Sequence, residues 1–238
     1  MQKGGTTSLQ RLLEHHPGAF LPPAKELHYF SLHYNQGEAW YRQQFAGAAV
    51  GQRCGEITPY YLFHPAAPQR IAALLPNVKL VLLLRNPVER ALSQYFHSVR
   101  LGLEPLELEA ALAAEEQRLA GAEEVLVAAD GRHRSHQEHS YLARSRYEQQ
   151  LQRFEALFPA EQLLVLRSED LFARAELVWT QLLQFLELDP WPLPALAQPA
   201  NAGRGEADAV TQATRRMVRA KLASTYQWAA QRYGLSWD

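Results

Sequence analysis

The chain has 238 residues, of which 47% are hydrophobic and 21% are charged, and its formal net charge is −1. This composition favours a folded chain with a buried core over a disordered one. The length is sufficient for one large α/β domain or two smaller domains. A net charge near zero argues against general nucleic-acid binding, which needs a basic surface, but is compatible with a local basic pocket.

The sequence predicts neither a transmembrane segment nor a signal peptide. No apolar run approaches membrane-spanning length, and the N-terminus is polar and rich in glycine. The only cysteine, Cys54, cannot form an internal disulfide, which fits a reducing compartment. We therefore expect a soluble, cytoplasmic protein.

The chain opens with a pattern suited to holding a phosphate. Residues 3–8 read Lys-Gly-Gly-Thr-Thr-Ser, and the leucines that follow recur at helical spacing. Glycines let backbone N–H groups approach an anion, the N-terminus of a helix adds partial positive charge, and the lysine adds a full charge. A frayed terminus running into a helix cap is the alternative interpretation of the same residues.

Short apolar segments alternate with helical ones along the rest of the chain. The continuous apolar run at 78–84 is typical of a strand covered on both faces, and 162–166 reads as a second such strand. A small strand is predicted at 19–21. Helices are predicted at 38–45, 69–75, 88–100, 103–126, 141–158, 169–186 and 211–233. This alternation predicts a parallel α/β sheet flanked by helices, in a single domain over residues 1–238.

A second candidate anion site follows the 78–84 strand. Arg85 stands at the carboxyl end of that strand, where open α/β sheets bind their ligands, and Ser93 lies two turns into the next helix. A guanidinium and a hydroxyl so placed could clamp one phosphate. Alternatively, Arg85 caps the helix or pairs with a surface acid such as Glu89.

Together the two motifs resemble those of sulfotransferases that use 3′-phosphoadenosine-5′-phosphosulfate (PAPS). The opening string is similar to their 5′-phosphosulfate loop, and Arg-x-Pro-x-x-Arg-x-x-Ser-x-Tyr from residue 85 is similar to their 3′-phosphate site. The Walker loop, in contrast, has its lysine after the glycines. The resemblance implies a P-loop-like three-layer fold with a central parallel sheet. It also implies that PAPS is bound by Lys3, Gly4, Gly5, Thr6, Thr7, Ser8, Arg85 and Ser93, with Arg204 added by a late basic loop.

The segment at 25–30, Lys-Glu-Leu-His-Tyr-Phe, resembles Lys-Glu-x-His-Phe-Phe of the heparan-sulfate-type branch. The resemblance makes Glu26 the general base with His28 nearby, and Lys3 completes the predicted catalytic set. Apolar neighbours should partly desolvate Glu26 and raise its basicity. A surface Lys–Glu pair ahead of core aromatic residues is the alternative. The segment at 55–61, which includes Glu56, resembles part of the family's acceptor cleft.

Later segments at 141–147, 162–170 and 234–238 resemble bacterial sulfotransferase domains, so the likeness spans nearly the whole chain. It implies transfer of a sulfuryl group from PAPS, without a metal, to a hydroxyl or amine of a carbohydrate-like or small-metabolite acceptor. A P-loop ATP- or GTP-dependent kinase and a non-catalytic nucleotide-binding remnant are the alternatives.

Three histidines, His133, His136 and His139, suggest a zinc site at first sight. Their spacing does not put all three on one helical face, and no cysteine accompanies them. A polar loop near the acceptor mouth is the favoured interpretation.

One feature departs from the family's pattern. Family members carry an apolar strand directly before the phosphosulfate loop, whereas this sequence starts at the loop. Because that strand would be central in the sheet, we expect its absence to expose a groove and leave backbone groups unpaired. Either residues upstream supply the strand, or the chain is a truncated member.

Overall fold

The computed structural model describes residues 3–194 and 205–237. Within these ranges the strands are β1 (Ala19–Phe20), β2 (Arg53–Cys54), β3 (Leu80–Leu84) and β4 (Leu163–Arg167). The helices are α1 (Thr6–Glu14), α2 (Gly37–Gln43), α3 (Ala67–Leu74), α4 (Pro87–Arg100), α5 (Leu108–Leu119), α6 (Ala122–Leu126), α7 (Arg134–Glu138), α8 (Tyr147–Glu155), α9 (Asp170–Ala173), α10 (Ala175–Leu186), α11 (Gln212–Lys221) and α12 (Ala223–Tyr233).

The strands in the described residues form two separate parallel pairs. β1 pairs with β2 in the register Ala19↔Arg53, and β3 pairs with β4 from Leu80↔Leu163 onward. Helices surround both pairs, so the predicted α/β class with parallel strands is confirmed. The predicted central sheet is present as these two pairs.

β3 is covered on both faces, as its unbroken apolar sequence predicts. Alternate side chains of a strand point to opposite faces. Accordingly, Leu82 and Leu84 join an aromatic cluster with Phe30, whereas Leu83 joins a cluster formed by α1 and α10 that includes Trp179. Packing on both faces fixes the position of β3 and therefore the position of Arg85, the residue that follows its carboxyl end.

Several predicted helices differ from the observed ones. The segment at 103–126 is divided by Gly121, whose φ of 73° ends one helix and starts the next. The segments at 169–186 and 211–233 are each divided in two, and the predicted loop at 130–140 contains α7.

The predicted helix at 141–158 starts only at Tyr147, because its first residues hold a buried arginine instead. The guanidinium of Arg90, on α4, donates to the carbonyl oxygen of Tyr141 at 2.5 Å and to the hydroxyl of Ser145 at 2.6 Å. Arg90 itself is 0% exposed. The sequence pattern at 141–146 predicts a helix because local periodicity does not report the contact with Arg90, which is about 50 residues away.

No helix in the described parts of the chain is both long enough and apolar enough to cross a membrane.

The two-sided burial of β3 predicts the stability of a truncation variant. Leu83 is 1% exposed, so Leu83→Ala should lower the free energy of unfolding by about 2–5 kcal/mol through lost apolar contact and a residual cavity. Leu177→Ala is the matched control, because Leu177 on α10 is 61% exposed. Chemical denaturation of both variants measures the difference; equal losses would contradict the packing described.

Candidate active site

The opening loop runs into the N-terminus of α1 as the sequence predicts. Gly5 is the N-cap residue, with a φ of 81° that glycine reaches without strain, and no side chain caps the helix. The positive end of α1 therefore lacks an acceptor from its own N-cap residue. Gly4 and Ser8 are buried, whereas Thr6 and Thr7 are partly exposed.

The two predicted anion motifs lie against each other. The guanidinium of Arg85 donates to the carbonyl oxygen of Lys3 at 3.2 Å. Residues 82 positions apart in sequence are thus joined at the carboxyl end of β3. The two predicted sites are in direct contact rather than separated by the length of a nucleotide. Ser93 is partly exposed on α4, two turns along the helix.

Hydrogen bonds from distant segments fix the backbone around Arg85. The Tyr147 hydroxyl donates to the carbonyl oxygen of Arg85 at 2.8 Å, and the N–H of Asn86 donates to Glu169 at 2.9 Å. The other carboxylate oxygen of Glu169 accepts from the indole of Trp237 at 2.9 Å. These supporting residues lie in the three late segments singled out by resemblance, but nothing in the sequence indicated the contacts.

Positive charge is concentrated around Lys3. Burial and the nearby guanidinium groups of Arg100, Arg85 and Arg90 lower the pKa of the Lys3 ammonium. Burial, Lys3 and Arg100 likewise lower the pKa of His97. Across the described part of the chain, no carboxylate lies within ion-pair distance of Lys3 or Arg85, although Arg100 pairs with Glu206 at 3.0 Å. The positive potential of such a cluster attracts anions.

Sequence reasoning did not select His97 and Arg100. Both follow Ser93 on α4 at spacings of four and seven residues, which place the three on one side of a helix. Helical periodicity counted from Ser93 was the signal that could have found them.

The predicted catalytic segment is joined to the loop through Lys25. The Lys25 ammonium donates to the Thr7 hydroxyl at 2.5 Å and lies 3.9 Å from the Glu26 carboxylate. The other oxygen of Glu26 lies 3.6 Å from Nε2 of His28. Lys25 is therefore a further residue of the site, and its position next to Glu26 in the motif was the available signal.

Backbone strain coincides with the predicted catalytic residues. In the described ranges, the non-glycine residues with positive φ are Lys3 (64°), Glu26 (57°), His28 (54°) and Glu187 (54°). Side chains other than glycine avoid this region, and such residues concentrate at functional sites. Three of the four are the residues that the sequence selects as catalytic.

The expectation that burial makes Glu26 more basic is wrong in this structure. Burial does raise the pKa of the Glu26 carboxyl, but the close approach of His28 and the charge of Lys25 outweigh it. The resulting pKa is below the ordinary value, so the carboxylate is ionised at neutral pH and can accept a proton.

The half-buried Glu56 carboxylate holds the strained segment in place through two hydroxyl groups. It accepts hydrogen bonds from the Thr58 hydroxyl at 2.7 Å and the Tyr61 hydroxyl at 3.0 Å. These hydroxyl oxygens in turn accept from the backbone N–H of His28 at 3.4 Å and of Phe30 at 3.3 Å. Glu56 is therefore a positioning residue for the segment that carries Glu26.

The three histidines of the polar segment have separate partners. His133 caps α7 through its ring nitrogen, and His139 contacts the carbonyl oxygen of Leu103 at 3.0 Å. His136 is buried, bonded to the Tyr60 hydroxyl at 2.8 Å and stacked on Phe63. No group of potential metal ligands is found among the described residues. Arg204 lies outside the described residues.

A glycine-containing loop, a helix N-terminus and an arginine meet at the carboxyl end of a parallel strand, which is the arrangement of a P-loop-like α/β protein and makes this a candidate anion site. A family model described as the sulfotransferase domain matches residues 1–193, and the chain therefore belongs to that family. A crystal structure of a sulfotransferase from Alicyclobacillus acidocaldarius is similar over 99% of this chain and 94% of its own, with 27% identity and a TM-score of 0.80.

Curated relatives match shorter stretches. Membrane-associated sulfotransferase kil1 of Dictyostelium discoideum is 41% identical over 101 residues, which are 41% of this chain and 21% of the relative. Human heparan sulfate glucosamine 3-O-sulfotransferase 6 is 41% identical over 95 residues, 40% of this chain and 28% of the relative. The match thus spans less than a third of either relative's length.

Burial of Glu56 predicts a pH-dependent contribution to stability. Burial raises the pKa of this carboxyl, despite hydrogen bonds from Thr58 and Tyr61 that lower it. Between the ordinary pKa, about 4.3, and the raised folded value, the native state holds more protons than the unfolded state, so the contribution of Glu56 to stability falls as pH rises. Glu56→Gln should remove this fall in stability with rising pH, because glutamine does not ionise.

The free energy of unfolding, measured by chemical denaturation between about pH 4 and about pH 7, tests this pH dependence. The stability of Glu56→Gln relative to the parent should improve with rising pH. Glu116→Gln, at an exposed position on α5, is the control and should show a constant difference. A constant difference for Glu56→Gln as well would contradict the assigned pKa direction.

Proposed function

We propose that the protein transfers a sulfuryl group from PAPS to a hydroxyl or amine of an acceptor. The observation that carries this proposal is the coincidence of strain and charge: Lys3, Glu26 and His28 are held at positive φ, and Lys3 lies near Arg100, Arg85 and Arg90, with no carboxylate of the described residues within ion-pair distance of Lys3 or Arg85. Membership of the sulfotransferase domain family supports the reaction class.

The residues present fit a nucleotide with phosphates at both ends. Backbone N–H groups of 4–7 and the positive end of α1 would hold the 5′-phosphosulfate. Arg85 and Ser93 would hold the 3′-phosphate, and Arg204 is proposed to assist them. Arg85 already donates to the carbonyl oxygen of Lys3, so a ligand phosphate would compete for one arm of its guanidinium.

PAPS, when bound, supplies the sulfuryl group and the leaving phosphate. Lys3 would stabilise the bridging oxygen as negative charge develops there, because its ammonium lies at the loop. Glu26, ionised at neutral pH, would accept the proton that the acceptor loses during attack, and His28 would orient the carboxylate from 3.6 Å. Remote binding through the 3′-phosphate would position the reacting sulfur.

A carbohydrate is the acceptor class that we favour. Relatives named as heparan sulfate glucosamine 3-O-sulfotransferases act on carbohydrate by their names, and their similarity supports the same class here. Small hydroxylated metabolites are the other acceptors to assay.

Removal of the Arg85 guanidinium should weaken nucleotide binding. Charge-assisted hydrogen bonds contribute about 1.5–3 kcal/mol each, so Arg85→Ala should bind 3′-phosphoadenosine-5′-phosphate about 10- to 100-fold more weakly. Titration calorimetry measures this, with Arg11→Ala, an exposed arginine on α1, as the matched control. Equal affinity of Arg85→Ala and the parent would reject the assignment.

Substitution of the proposed base should separate chemistry from binding. Glu26→Gln keeps the size of the side chain but cannot accept the proton, so turnover of a glucosamine-containing acceptor should fall by about 100- to 10,000-fold. Affinity for 3′-phosphoadenosine-5′-phosphate should change little. Glu116→Gln serves as the control. If Glu26→Gln keeps near-parental turnover, the base lies elsewhere.

A further inference from the structure

The residues that follow α12 fold back toward the carboxyl ends of β3 and β4. Gly234 ends α12 with a φ of 65°, the left-handed conformation that glycine reaches without strain. Arg167, the last residue of β4, then donates to the carbonyl oxygen of Ser236 at 2.9 Å. Arg219 donates to the carbonyl oxygen of Trp237 at 3.2 Å. These bonds hold the Trp237 side chain in the interior, where it is buried.

The Trp237 indole is joined to the residue after Arg85 through one carboxylate. Its Nε1–H donates to Oε2 of Glu169 at 2.9 Å, and Oε1 of Glu169 accepts from the backbone N–H of Asn86 at 2.9 Å. Hydrogen bonds to a carboxylate are charge-assisted and stronger than neutral ones. Because both oxygens of a planar group are in use, the indole and the Asn86 backbone are kept at a fixed separation.

The peptide unit between Arg85 and Asn86 is therefore held on both sides. Its N–H donates to Glu169, and its carbonyl oxygen, that of Arg85, accepts from the Tyr147 hydroxyl at 2.8 Å. A peptide unit is planar, so two hydrogen bonds on opposite sides of it fix its orientation. The Trp237 ring also contacts the Tyr147 ring, with 6.5 Å between the ring centroids. Trp237 thus supports both of the groups that hold this peptide.

The same indole supports the start of α4. The side-chain oxygen of Asn86 caps this helix by accepting from the N–H of Val88 at 3.0 Å. That oxygen also accepts from the Tyr226 hydroxyl at 2.7 Å, and the Tyr226 ring meets the Trp237 ring edge-on at 6.0 Å. The direction in which α4 leaves β3, and with it the position of Ser93, depends on these contacts.

The Arg85 guanidinium needs this backbone support because its own contacts are few. The side chain is partly exposed, and within the described part of the chain it makes one hydrogen bond, to the carbonyl oxygen of Lys3 at 3.2 Å. The backbone of Arg85 therefore sets where the guanidinium can meet a phosphate. A displacement of about 1 Å is enough to lose much of a bidentate contact.

We infer that Trp237, acting through Glu169 and the two tyrosines, is a positioning residue that determines selectivity for a nucleotide with a 3′-phosphate. The inference rests on the proposed function, in which Arg85 and Ser93 hold that phosphate. Packing alone is the competing explanation, since Trp237 also belongs to the apolar cluster that contains Leu84. A packing role predicts a loss of stability, whereas a positioning role predicts a loss of affinity for one nucleotide.

The test is titration calorimetry on the full chain with 3′-phosphoadenosine-5′-phosphate and with adenosine 5′-phosphate, which differ only in the 3′-phosphate. Trp237→Phe keeps an aromatic ring but removes the N–H that donates to Glu169. It should weaken binding of the first nucleotide by about 5- to 10-fold, as expected for one hydrogen bond, and change the affinity for the second by less than about twofold.

Two further single variants accompany Trp237→Phe. Glu169→Gln should change the ratio of the two affinities in the same direction, because glutamine replaces one acceptor oxygen with a donor. Trp228→Phe is the matched control, because Trp228 is partly buried on α12. It should leave both affinities near the parent values.

A double-mutant cycle separates positioning from packing. If Trp237 acts through Arg85, the losses of affinity in Arg85→Ala and Trp237→Phe should combine to less than their sum. Fully additive losses, equal losses for both nucleotides in Trp237→Phe, or an unchanged ratio in either Trp237→Phe or Glu169→Gln would overturn the inference alone. A parent chain that binds both nucleotides equally would instead reject the 3′-phosphate site of the proposed function, and the inference with it.

Discussion

The site depends on positive charge at Lys3, Arg85 and Arg90, none of which has a carboxylate within ion-pair distance among the residues that the structure describes. Burial lowers the pKa of the Lys3 ammonium, and the nearby guanidinium groups of Arg100, Arg85 and Arg90 lower it further. Like charges repel, so the arrangement persists only because other parts of the molecule anchor it. Arg90 is held by buried carbonyl and hydroxyl oxygens, and the backbone of Arg85 by Tyr147. A ligand with several negative charges would relieve the repulsion.

Strain is the second constraint, and it is distributed over the same site. Positive φ at Glu26 and His28 brings the carboxylate and the imidazole to 3.6 Å from each other. The hydroxyls of Thr58 and Tyr61, both bonded to Glu56, hold the backbone of this segment in place. The Glu56 carboxylate thus stabilises a strained backbone, and Lys25 connects that backbone to Thr7 of the loop. The proposed binding loop and the proposed base are thus joined through the Lys25 side chain.

Local sequence predicts the parts of the fold whose cause is local. The apolar run of β3, the N-terminal proline of α4 and the glycines of the opening loop each act within a few residues, and each element forms where predicted. β2 has only two residues, which are too few to show an alternation of apolar and polar side chains, and the sequence did not predict this strand. The break before Tyr147 depends on Arg90, 55 residues from Ser145 in sequence, so periodicity could not reveal it.

The candidate site shows the same division. Motifs selected Lys3, Arg85 and Glu26, whose neighbours in sequence carry the pattern. His97 and Arg100 join the site because α4 carries them to the same side as Ser93, and the pKa of Glu26 depends on its burial and on the nearby His28 and Lys25, which tertiary geometry places. Such properties follow from tertiary geometry and are not encoded in a short string.

Calorimetric titration with 3′-phosphoadenosine-5′-phosphate in the presence of a chelator, beside a titration with ATP and Mg²⁺, tests the central claim most directly. If the cation cluster is built for a metal-free nucleotide phosphorylated at both ends, the first ligand binds more tightly, and its affinity falls as salt screens the cations. Tighter binding of ATP with Mg²⁺, or no binding of the first ligand, would contradict the account.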